Sequence, residues 1–226
     1  KFSPLKLPSN PSPKIEYQRE QWEGIGEIKK SSKVNKKVEV GRKARNVGET
    51  KGYRSSISLH FNGKLLTIII NKDDKEVQRI SFQAVSGRPK KDNGKHYFTY
   101  EKERQMLKNE GPIPEGEYYI EINKISSVPS YRLDRQYGWG DKNVPIELNN
   151  QETYGRDGFY IHGDWSAGSA GCIDLWDRNE LFFENLIEYS KKLNITKIPL
   201  AVKYDNAIME CSDNLLGLIK QCEAKQ

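Results

Sequence analysis

Two stretches of strand-forming residues separated by an Asn-Gly pair constrain the fold more than any other feature of this sequence. Residues 55–61 (SSISLHF) and 64–71 (KLLTIIIN) are rich in apolar and β-branched residues, and Asn62 and Gly63 lie between them. Asn-Gly is a preferred pair in the tight turns of β-hairpins, because both positions tolerate a positive φ. The sequence therefore predicts a β-hairpin near the start of the folded part of the chain.

Further short strands follow, with turn residues between them. The segment 86–110 reads as a long polar loop. Repeated short strands with turns between them are typical of a β-sandwich or a related mainly-β fold. The predicted strands occupy residues 76–85, 117–122, 144–149, 158–162 and 199–204.

One or two helices are predicted late in the chain. Residues 177–193 carry apolar side chains at helical spacing, with Asp177 as the expected N-cap, and residues 205–226 are expected to form a terminal helix. Cys211 and Cys222 would then lie roughly 16 Å apart. A disulfide bond tolerates only about 7 Å between Cα atoms, so pairing would require a break in the helix. Whether these two cysteines pair stays open.

The positive charge is concentrated at the start of the chain. Residues 1–50 hold 12 Lys and Arg against 6 Glu, which gives +6 and equals the net charge of all 226 residues. We expect a basic, partly disordered arm over residues 1–50 and one folded domain over residues 51–226. The arm could bind nucleic acid, an anionic cell wall or an acidic partner, or it could be a solvated flexible leader. It holds no nucleic-acid-binding motif with aromatic platforms.

No stretch approaches the roughly 18 apolar residues of a membrane span. No signal-peptide pattern follows Lys1, so we expect a processed form of the chain or export by another route.

The segment 158–175 (GFYIHGDWSAGSAGCIDL) concentrates residues that can carry chemistry. It would place His162 at a strand end, and glycines such as Gly163 and Gly171 allow tight turns. Main-chain N–H groups beside Cys172 would favour its thiolate and form an oxyanion hole. A histidine within hydrogen-bonding distance would complete an activated nucleophile.

Three other interpretations remain open from these residues alone. Cys172 could be a small buried apolar residue, and His162 could be an ordinary loop residue. Metal binding by one Cys and one His is possible, but no second Cys or His lies nearby at metal-binding spacing, since His60 and His96 lie far upstream. The sequence implies no metal and no organic cofactor.

The order of these residues resembles the catalytic motif of L,D-transpeptidases. A His-Gly pair, His162 and Gly163, precedes Ser169-Ala170-Gly171-Cys172-Ile173, and the spacing of ten residues between the histidine and the cysteine is similar to that of L,D-transpeptidase-related type VI secretion effectors. The resemblance covers about residues 53–204. Further segments support it: 84–87 (AVSG), 111–120 (GPIPEGEYYI), 139–148 (WGDKNVPIEL) and 154–175.

The resemblance implies an L,D-transpeptidase-like β-sandwich and a cysteine mechanism. Cys172 would attack a peptidoglycan tetrapeptide stem at its third residue, His162 would take the thiol proton, and a main-chain carbonyl near Gly163 would orient the imidazole. The N–H groups of Gly171 and Cys172 would hold the oxyanion. Ser169 would shape the turn before the nucleophile.

One departure from the family pattern concerns the step after D-alanine leaves. Ordinary L,D-transpeptidases carry a second histidine where this chain has Ala170. We therefore expect hydrolysis or exchange with a small D-amino acid rather than cross-linking of two large muropeptides.

Residues near the motif are candidates for contacting the substrate. Arg156 could pair with a stem carboxylate, and Asp164 is an alternative residue for orienting His162. His60 is expected to be structural. The candidate substrate-binding residues are Trp139, Tyr154, Arg156 and Trp165.

The resemblance also implies a biological role. We expect a secreted antibacterial toxin that acts in the periplasm of the target bacterium, with a cognate immunity protein and contact with the secretion apparatus. The alternatives are a housekeeping cell-wall enzyme with the same chemistry, or a non-catalytic wall-binding module. A papain-like protease is disfavoured, because the histidine here precedes the cysteine.

Overall fold

The structure is a computed structural model. All described residues belong to the unit Thr50–Gln226. The predicted basic arm, residues 1–50, lies outside them, so its separation from the folded domain stays a prediction. The described residues are 54–129, 131, 138–205, 208–213 and 219–225.

The largest sheet has six strands in the order β10-β7-β13-β1-β2-β3. The predicted hairpin is confirmed: β1 and β2 pair antiparallel, and the side-chain oxygen of Asn62 accepts the N–H of Leu65 at the turn. β13 joins β1 in parallel. The strands are β1 Ser55–Phe61, β2 Leu65–Lys72, β3 Lys75–Gln83, β7 Gly116–Glu121, β10 Glu147–Leu148 and β13 Lys197–Val202.

A second sheet of five short strands has the order β4-β12-β11-β9-β8. In it β11 and β12 run parallel, and the neighbouring pairs are antiparallel. Its apolar residues share one core with the first sheet, including Val144, Ile161 and Ile173. The strands are β4 Val85–Ser86, β8 Ser126–Ser127, β9 Lys142–Pro145, β11 Tyr160–His162 and β12 Ile173–Asp174.

The third sheet has the order β15-β14-β6-β5 and corrects two expectations. The segment 86–110 is not one long loop, since it contains β5, β6 and the one-turn helix α1. The terminal helix predicted over 205–226 is wrong, because the described residues there form the β14–β15 hairpin. The elements are β5 Lys90–Asp92, β6 Lys95–Phe98, α1 Lys102–Gln105, β14 Ile208–Asp213 and β15 Ile219–Lys225.

A disulfide bond closes this hairpin. Cys211 and Cys222 are directly opposed in the antiparallel pair, with their Cα atoms 4.1 Å apart. Both cysteines pack with Phe98 and Met209 in a second, smaller core. The bond is thus compatible with a strand pairing that replaces the expected helix.

The late helix is confirmed as α2, Asn179–Leu193. Its buried side chains, including Phe182 and Leu186, pack into the main core. Asp177 is not the N-cap: it lies in a 3₁₀ turn, Trp176–Arg178, and Arg178 precedes the helix without a capping side-chain hydrogen bond. The predicted fold class is confirmed, a mainly-β sandwich with one long late helix. Among the described residues, no helix has the length and apolar character needed to cross a membrane.

Candidate active site

Two adjacent parallel strands bring His162 and Cys172 together. His162 is the last residue of β11, and Cys172 immediately precedes β12. In the pairing register His162 lies beside Asp174, and the carbonyl oxygen of His162 accepts the N–H of Leu175 at 2.8 Å. The intervening residues 163–172, called the site loop below, return the chain so that the thiol can interact with the imidazole.

His162 is oriented by its own main chain. The side chain is buried, and its Nδ1 lies 2.8 Å from the carbonyl oxygen of Gly163. A carbonyl oxygen only accepts hydrogen bonds, so Nδ1 carries the proton in the neutral ring and Nε2 can accept one. The thiol of Cys172 is close enough to the ring of His162 to influence its pKa.

The local electrostatics favour a charged His162. Burial disfavours the imidazolium, but the hydrogen bond and negative charge of Cys172, the Gly163 carbonyl and the charge of Asp164 outweigh it and raise the pKa of His162. Burial also raises the pKa of the Asp164 carboxyl, although the N–H groups of Trp165 and Ser166 oppose this. The site therefore suits a thiolate–imidazolium pair.

Gly163 is required by close packing against the start of α2. A Cβ atom at this position would lie 2.5 Å from Cβ of Asn179 and 2.7 Å from the carbonyl oxygen of Trp176. The buried Asn179 in turn bonds both the N–H and the carbonyl of Lys142 in β9. Glycine therefore lets the residue whose carbonyl orients His162 pack directly against the start of the helix.

Hydrogen bonds hold the second half of the site loop. The carboxylate of Asp174 accepts the N–H of Gly168 at 2.8 Å, and the N–H of Ser169 donates to the carbonyl oxygen of Gly87. The Ser86 hydroxyl donates to the carbonyl oxygen of Gly171 at 3.1 Å. The backbone before Cys172 is thus tied to β4 and β12.

Ser169 contacts the main chain of the nucleophile's turn. Its hydroxyl donates to the carbonyl oxygen of Cys172 at 2.7 Å and accepts the N–H of Gly171 at 3.3 Å. This geometry agrees with the expected turn-shaping role. The Gly171 N–H makes a long bond here, which an oxyanion, a stronger acceptor, can replace.

Two of the predicted substrate-binding residues are exposed tryptophans, and the other two make contacts within the protein. Trp139 is 37 % exposed, its ring lies 5.3 Å from that of His162, and Trp165 is 48 % exposed. Tyr154 is half-buried at a turn with a φ of +56°, where its N–H bonds the Glu152 carboxylate. Arg156 differs from the expectation: it is 6 % exposed and donates to main-chain carbonyl oxygens, so it is not an exposed cation awaiting a carboxylate.

Two clefts are lined by residues that contact the pair or belong to the site loop. An aromatic cleft of about 360 Å³ includes Trp139, which contacts His162, and Tyr160, which contacts Trp139. A cationic cleft of about 450 Å³ is lined by the basic residues Arg88, Lys91 and His96 together with residues 167–170 of the site loop. The aromatic cleft is completed by Ser126, Ser127, Val128, Pro129, Tyr131 and Asn143.

The sequence interpretation missed Ser86 and Asp174 as members of the site. Ser86 is buried and bridges the Gly171 carbonyl to the N–H of Ile113. Asp174 is fully buried and accepts the N–H groups of Gly168 and Trp176. The available signal for Asp174 was a lone carboxylate within the apolar run 173–176 (IDLW).

The region that carries this geometry matches a known protein family. The match is to the Tlde1 domain and covers residues 71–200, more than half of the 226 residues. The chain belongs to the Tlde1 domain family. Tlde1 domains are type VI secretion effectors of the L,D-transpeptidase-like kind that act on the cell wall. The matched region contains the whole site loop, whereas the disulfide-bonded hairpin lies beyond it.

Solved structures similar to this Tlde1 chain share little sequence with it. Bd1075 of Bdellovibrio bacteriovorus is 12 % identical in sequence, with a TM-score of 0.39, and the match covers 79 % of this chain and 52 % of the Bd1075 chain. The helical cell shape determining protein Pgp2 of Campylobacter jejuni is 14 % identical, with a TM-score of 0.42, and the match covers 75 % of this chain and 51 % of the Pgp2 chain. The chain thus spans about half the length of each. No curated protein matches the sequence.

No metal site competes with this interpretation in the described part of the chain. There, His, Cys, Asp and Glu side chains form no group of three or more that could hold a metal ion.

Proposed function

We propose that this Tlde1 domain is an antibacterial enzyme that cleaves peptidoglycan tetrapeptide stems, with Cys172 as nucleophile and His162 as base. The observation that carries the proposal is the bond from His162 Nδ1 to the Gly163 carbonyl, which leaves Nε2 available for the thiol of Cys172. Membership of a family of cell-wall-acting effectors supports the substrate class.

Acylation begins with a proton transfer between the thiol of Cys172 and the imidazole of His162. The Cys172 proton moves to His162, and the thiolate attacks the carbonyl carbon of the third stem residue, a diamino acid. The N–H groups of Cys172 and Gly171 stabilise the oxyanion, the Gly171 N–H exchanging its bond to Ser169 for a bond to the substrate. The carbon–nitrogen bond to D-alanine then breaks, and His162 donates its proton to the departing amine. A thioester remains on Cys172.

The molecule that attacks the thioester determines which of two products forms. Water attacks the thioester while His162 takes its proton, which releases a tripeptide and regenerates the thiolate; this is L,D-carboxypeptidase activity. A free D-amino acid that attacks instead yields an exchanged tetrapeptide, which is L,D-transpeptidase activity. The presence of Ala170 in place of a second histidine favours these small acceptors over a second muropeptide.

The two clefts suit the two sides of such a substrate. The aromatic cleft beside Trp139 and Tyr160 can pack the apolar faces of the stem or its sugar. The cationic cleft, with the exposed Arg88 and Lys91, can attract the carboxylate of the terminal D-alanine or of the incoming D-amino acid. Trp139 is thus a proposed substrate contact. Trp165 and Tyr154 remain proposed only as neighbours of the site.

The cellular setting follows from the family and the disulfide bond. Disulfide bonds persist in oxidising compartments, so the Cys211–Cys222 bond supports action in the periplasm of the target bacterium. Secretion through the type VI apparatus and a cognate immunity protein that covers the site complete the proposal.

Mass spectrometry of purified muropeptide tetrapeptides tests the proposal. The native protein, Cys172→Ala and His162→Gln are each incubated with tetrapeptide, with and without D-methionine. The proposal expects loss of D-alanine, or its replacement by D-methionine, with the native protein alone. Unchanged tetrapeptides with folded native protein would favour a wall-binding module. Lysis of a host that expresses the native protein in its periplasm, but not Cys172→Ala, would separate a toxin from a housekeeping enzyme.

A further inference from the structure

Arg156 is a buried cation beside the site loop. Its Nη1 donates to the carbonyl oxygens of Gln105 and Pro112, each at 2.6 Å. Its Nη2 donates to the carbonyl oxygen of Gly111 at 2.8 Å and to that of Ala170 at 3.4 Å. Burial lowers the pKa of Arg156, but a guanidinium keeps its proton in proteins. Carbonyl dipoles solvate this charge without neutralising it.

Three ionisable side chains interact with the charge of Arg156. They are Tyr204, Tyr118 and Cys172. Burial raises the pKa of Tyr118 to about 12, and burial raises that of Tyr204 well above its ordinary value. Both phenols are therefore neutral near pH 7. Cys172 is the remaining group, and it directly follows Gly171, against which Nη2 of Arg156 packs.

We infer that Arg156 is a positioning residue whose buried charge stabilises the Cys172 thiolate and holds the Ala170 carbonyl of the turn before it. The inference rests on the proposed role of Cys172 as nucleophile. A buried charge is costly unless it is paired, and forming the thiolate pairs this one. The guanidinium thus favours the thiolate, which is the reactive form of the nucleophile. The imidazolium of His162 favours the thiolate as well, and the carboxylate of Asp164 acts on that imidazolium.

Gly171 makes this approach possible. Its φ is +123°, and a Cβ atom built on it would lie 2.5 Å from Nη2 of Arg156 and 3.0 Å from the ring of Phe159. The guanidinium also lies over that ring, 5.3 Å from its centre. The residue before the nucleophile is therefore glycine both for its backbone conformation and because the cation occupies the space of a side chain.

The test is the pH dependence of Cys172 alkylation by iodoacetamide, followed by mass spectrometry on the purified full chain. Arg156→Gln retains hydrogen-bond donors but loses the charge, so its alkylation midpoint should rise by about one pH unit, and at pH values below the native midpoint its rate should fall about tenfold. Arg156→Lys keeps a charge and should stay within about threefold of the native rate at the same pH.

Arg104 provides a matched control. It is also buried and donates to main-chain carbonyl oxygens, those of Thr99 and Arg88, but it has no described contact with the site loop. Arg104→Gln should leave the alkylation midpoint unchanged even where it lowers stability. A native midpoint in folded Arg156→Gln, or an equal shift in Arg104→Gln, would overturn the inference.

A second measurement covers an Arg156→Gln protein that does not fold. In a His162→Gln protein that also carries Arg88→Gln and Lys91→Gln, the imidazolium and the cations of the cationic cleft are removed, and Arg156 remains beside the turn that carries the thiol. The ratio of the alkylation rate with iodoacetate, an anion, to the rate with neutral iodoacetamide should then be at least about threefold higher in the folded protein than in urea-unfolded protein. A ratio no higher than in the unfolded protein would overturn the inference. Because alkylation needs no peptidoglycan, these results are distinct from failure of stem cleavage.

Discussion

The carbonyl oxygen of Gly163 and Nδ1 of His162 lie 2.8 Å apart, so the group that orients the imidazole belongs to the next residue in the chain. A main-chain orienting group cannot be removed by a side-chain substitution. It can lose its position only if the backbone moves, and the packing of Gly163 against Asn179 resists that movement.

This relationship predicts unequal effects of two neighbouring substitutions. Asp164→Asn should leave kcat within about threefold of native, because the carboxylate is not the orienting group, whereas His162→Gln should lower kcat by at least about 10³-fold. Asp164 also raises the pKa of His162, so Asp164→Asn should lower that pKa slightly. Steady-state release of D-alanine against pH measures both effects. A loss in Asp164→Asn as large as in His162→Gln would make Asp164 the orienting residue.

Asp174 predicts a pH-dependent contribution to stability. Burial raises the pKa of its carboxyl well above the ordinary value, despite hydrogen bonds from the N–H groups of Trp176 and Gly168. The folded state therefore holds this proton to higher pH than the unfolded state does. The contribution of Asp174 to the free energy of unfolding is fully present below the pKa of the unfolded state, about 4, and is lost as the pH rises through the pKa of the folded state.

The matched variant for this prediction is Asp174→Asn, which cannot titrate. Urea unfolding at several pH values should show that the stability of the native protein relative to Asp174→Asn is greatest near pH 4 and declines as pH rises. A difference that is constant or grows with pH would contradict the burial argument. The variant should also lose activity, because an amide has one oxygen for the two N–H groups that Asp174 accepts.

The disulfide-bonded hairpin supports the site loop from outside the family match. The N–H of Ile219 donates to the Ser166 hydroxyl, and the N–H of Ala167 donates to the Ile219 carbonyl, each at 2.9 Å. The double variant Cys211→Ser with Cys222→Ser should lose about 2–4 kcal/mol of unfolding free energy. It should also lose activity, because the loop that carries Cys172 loosens.

Denaturant unfolding and D-alanine release measure these two effects. The double variant avoids added reductant, which would also act on Cys172. Full activity together with the expected loss of stability would show that the hairpin does not support the loop.

The aromatic cleft predicts different consequences for two exposed tryptophans. Trp139 lines the cleft and contacts His162, whereas Trp165 lines neither cleft. Trp139→Ala should lower kcat/KM at least about tenfold, because stacking contacts are lost. Trp165→Ala should stay within about threefold of native. Kinetics with soluble tetrapeptide measure both, and equal losses would argue against the cleft as the substrate-binding surface.

Local patterns predicted the elements whose information lies within a few residues. The β1–β2 hairpin follows from Asn62 and Gly63, and α2 follows from the spacing of its apolar residues. The His-Gly and Ser-X-Gly-Cys order likewise pointed to the segment that forms the site. Each of these signals is contained in a continuous stretch of sequence, and the structure agrees with those for the hairpin and the helix.

The failures involve partners that are distant in sequence. A terminal helix is expected over residues 205–226, but β14 pairs with β6 about 110 positions upstream, which a local pattern cannot reveal. Arg156 read as a surface cation because the carbonyl oxygens that bury it lie 44 and 51 positions away at Pro112 and Gln105. Tertiary contacts of this kind override local preference.

Trapping the acyl-enzyme shows whether Cys172 is the nucleophile. The native protein is mixed with tetrapeptide, quenched in acid after a short interval, and examined by intact mass and peptide mapping, with Cys172→Ala as control. We expect a mass increase equal to the tripeptide acyl group, located on Cys172 and absent from the control. Release of D-alanine without any adduct on Cys172, or an adduct that persists in Cys172→Ala, would contradict it.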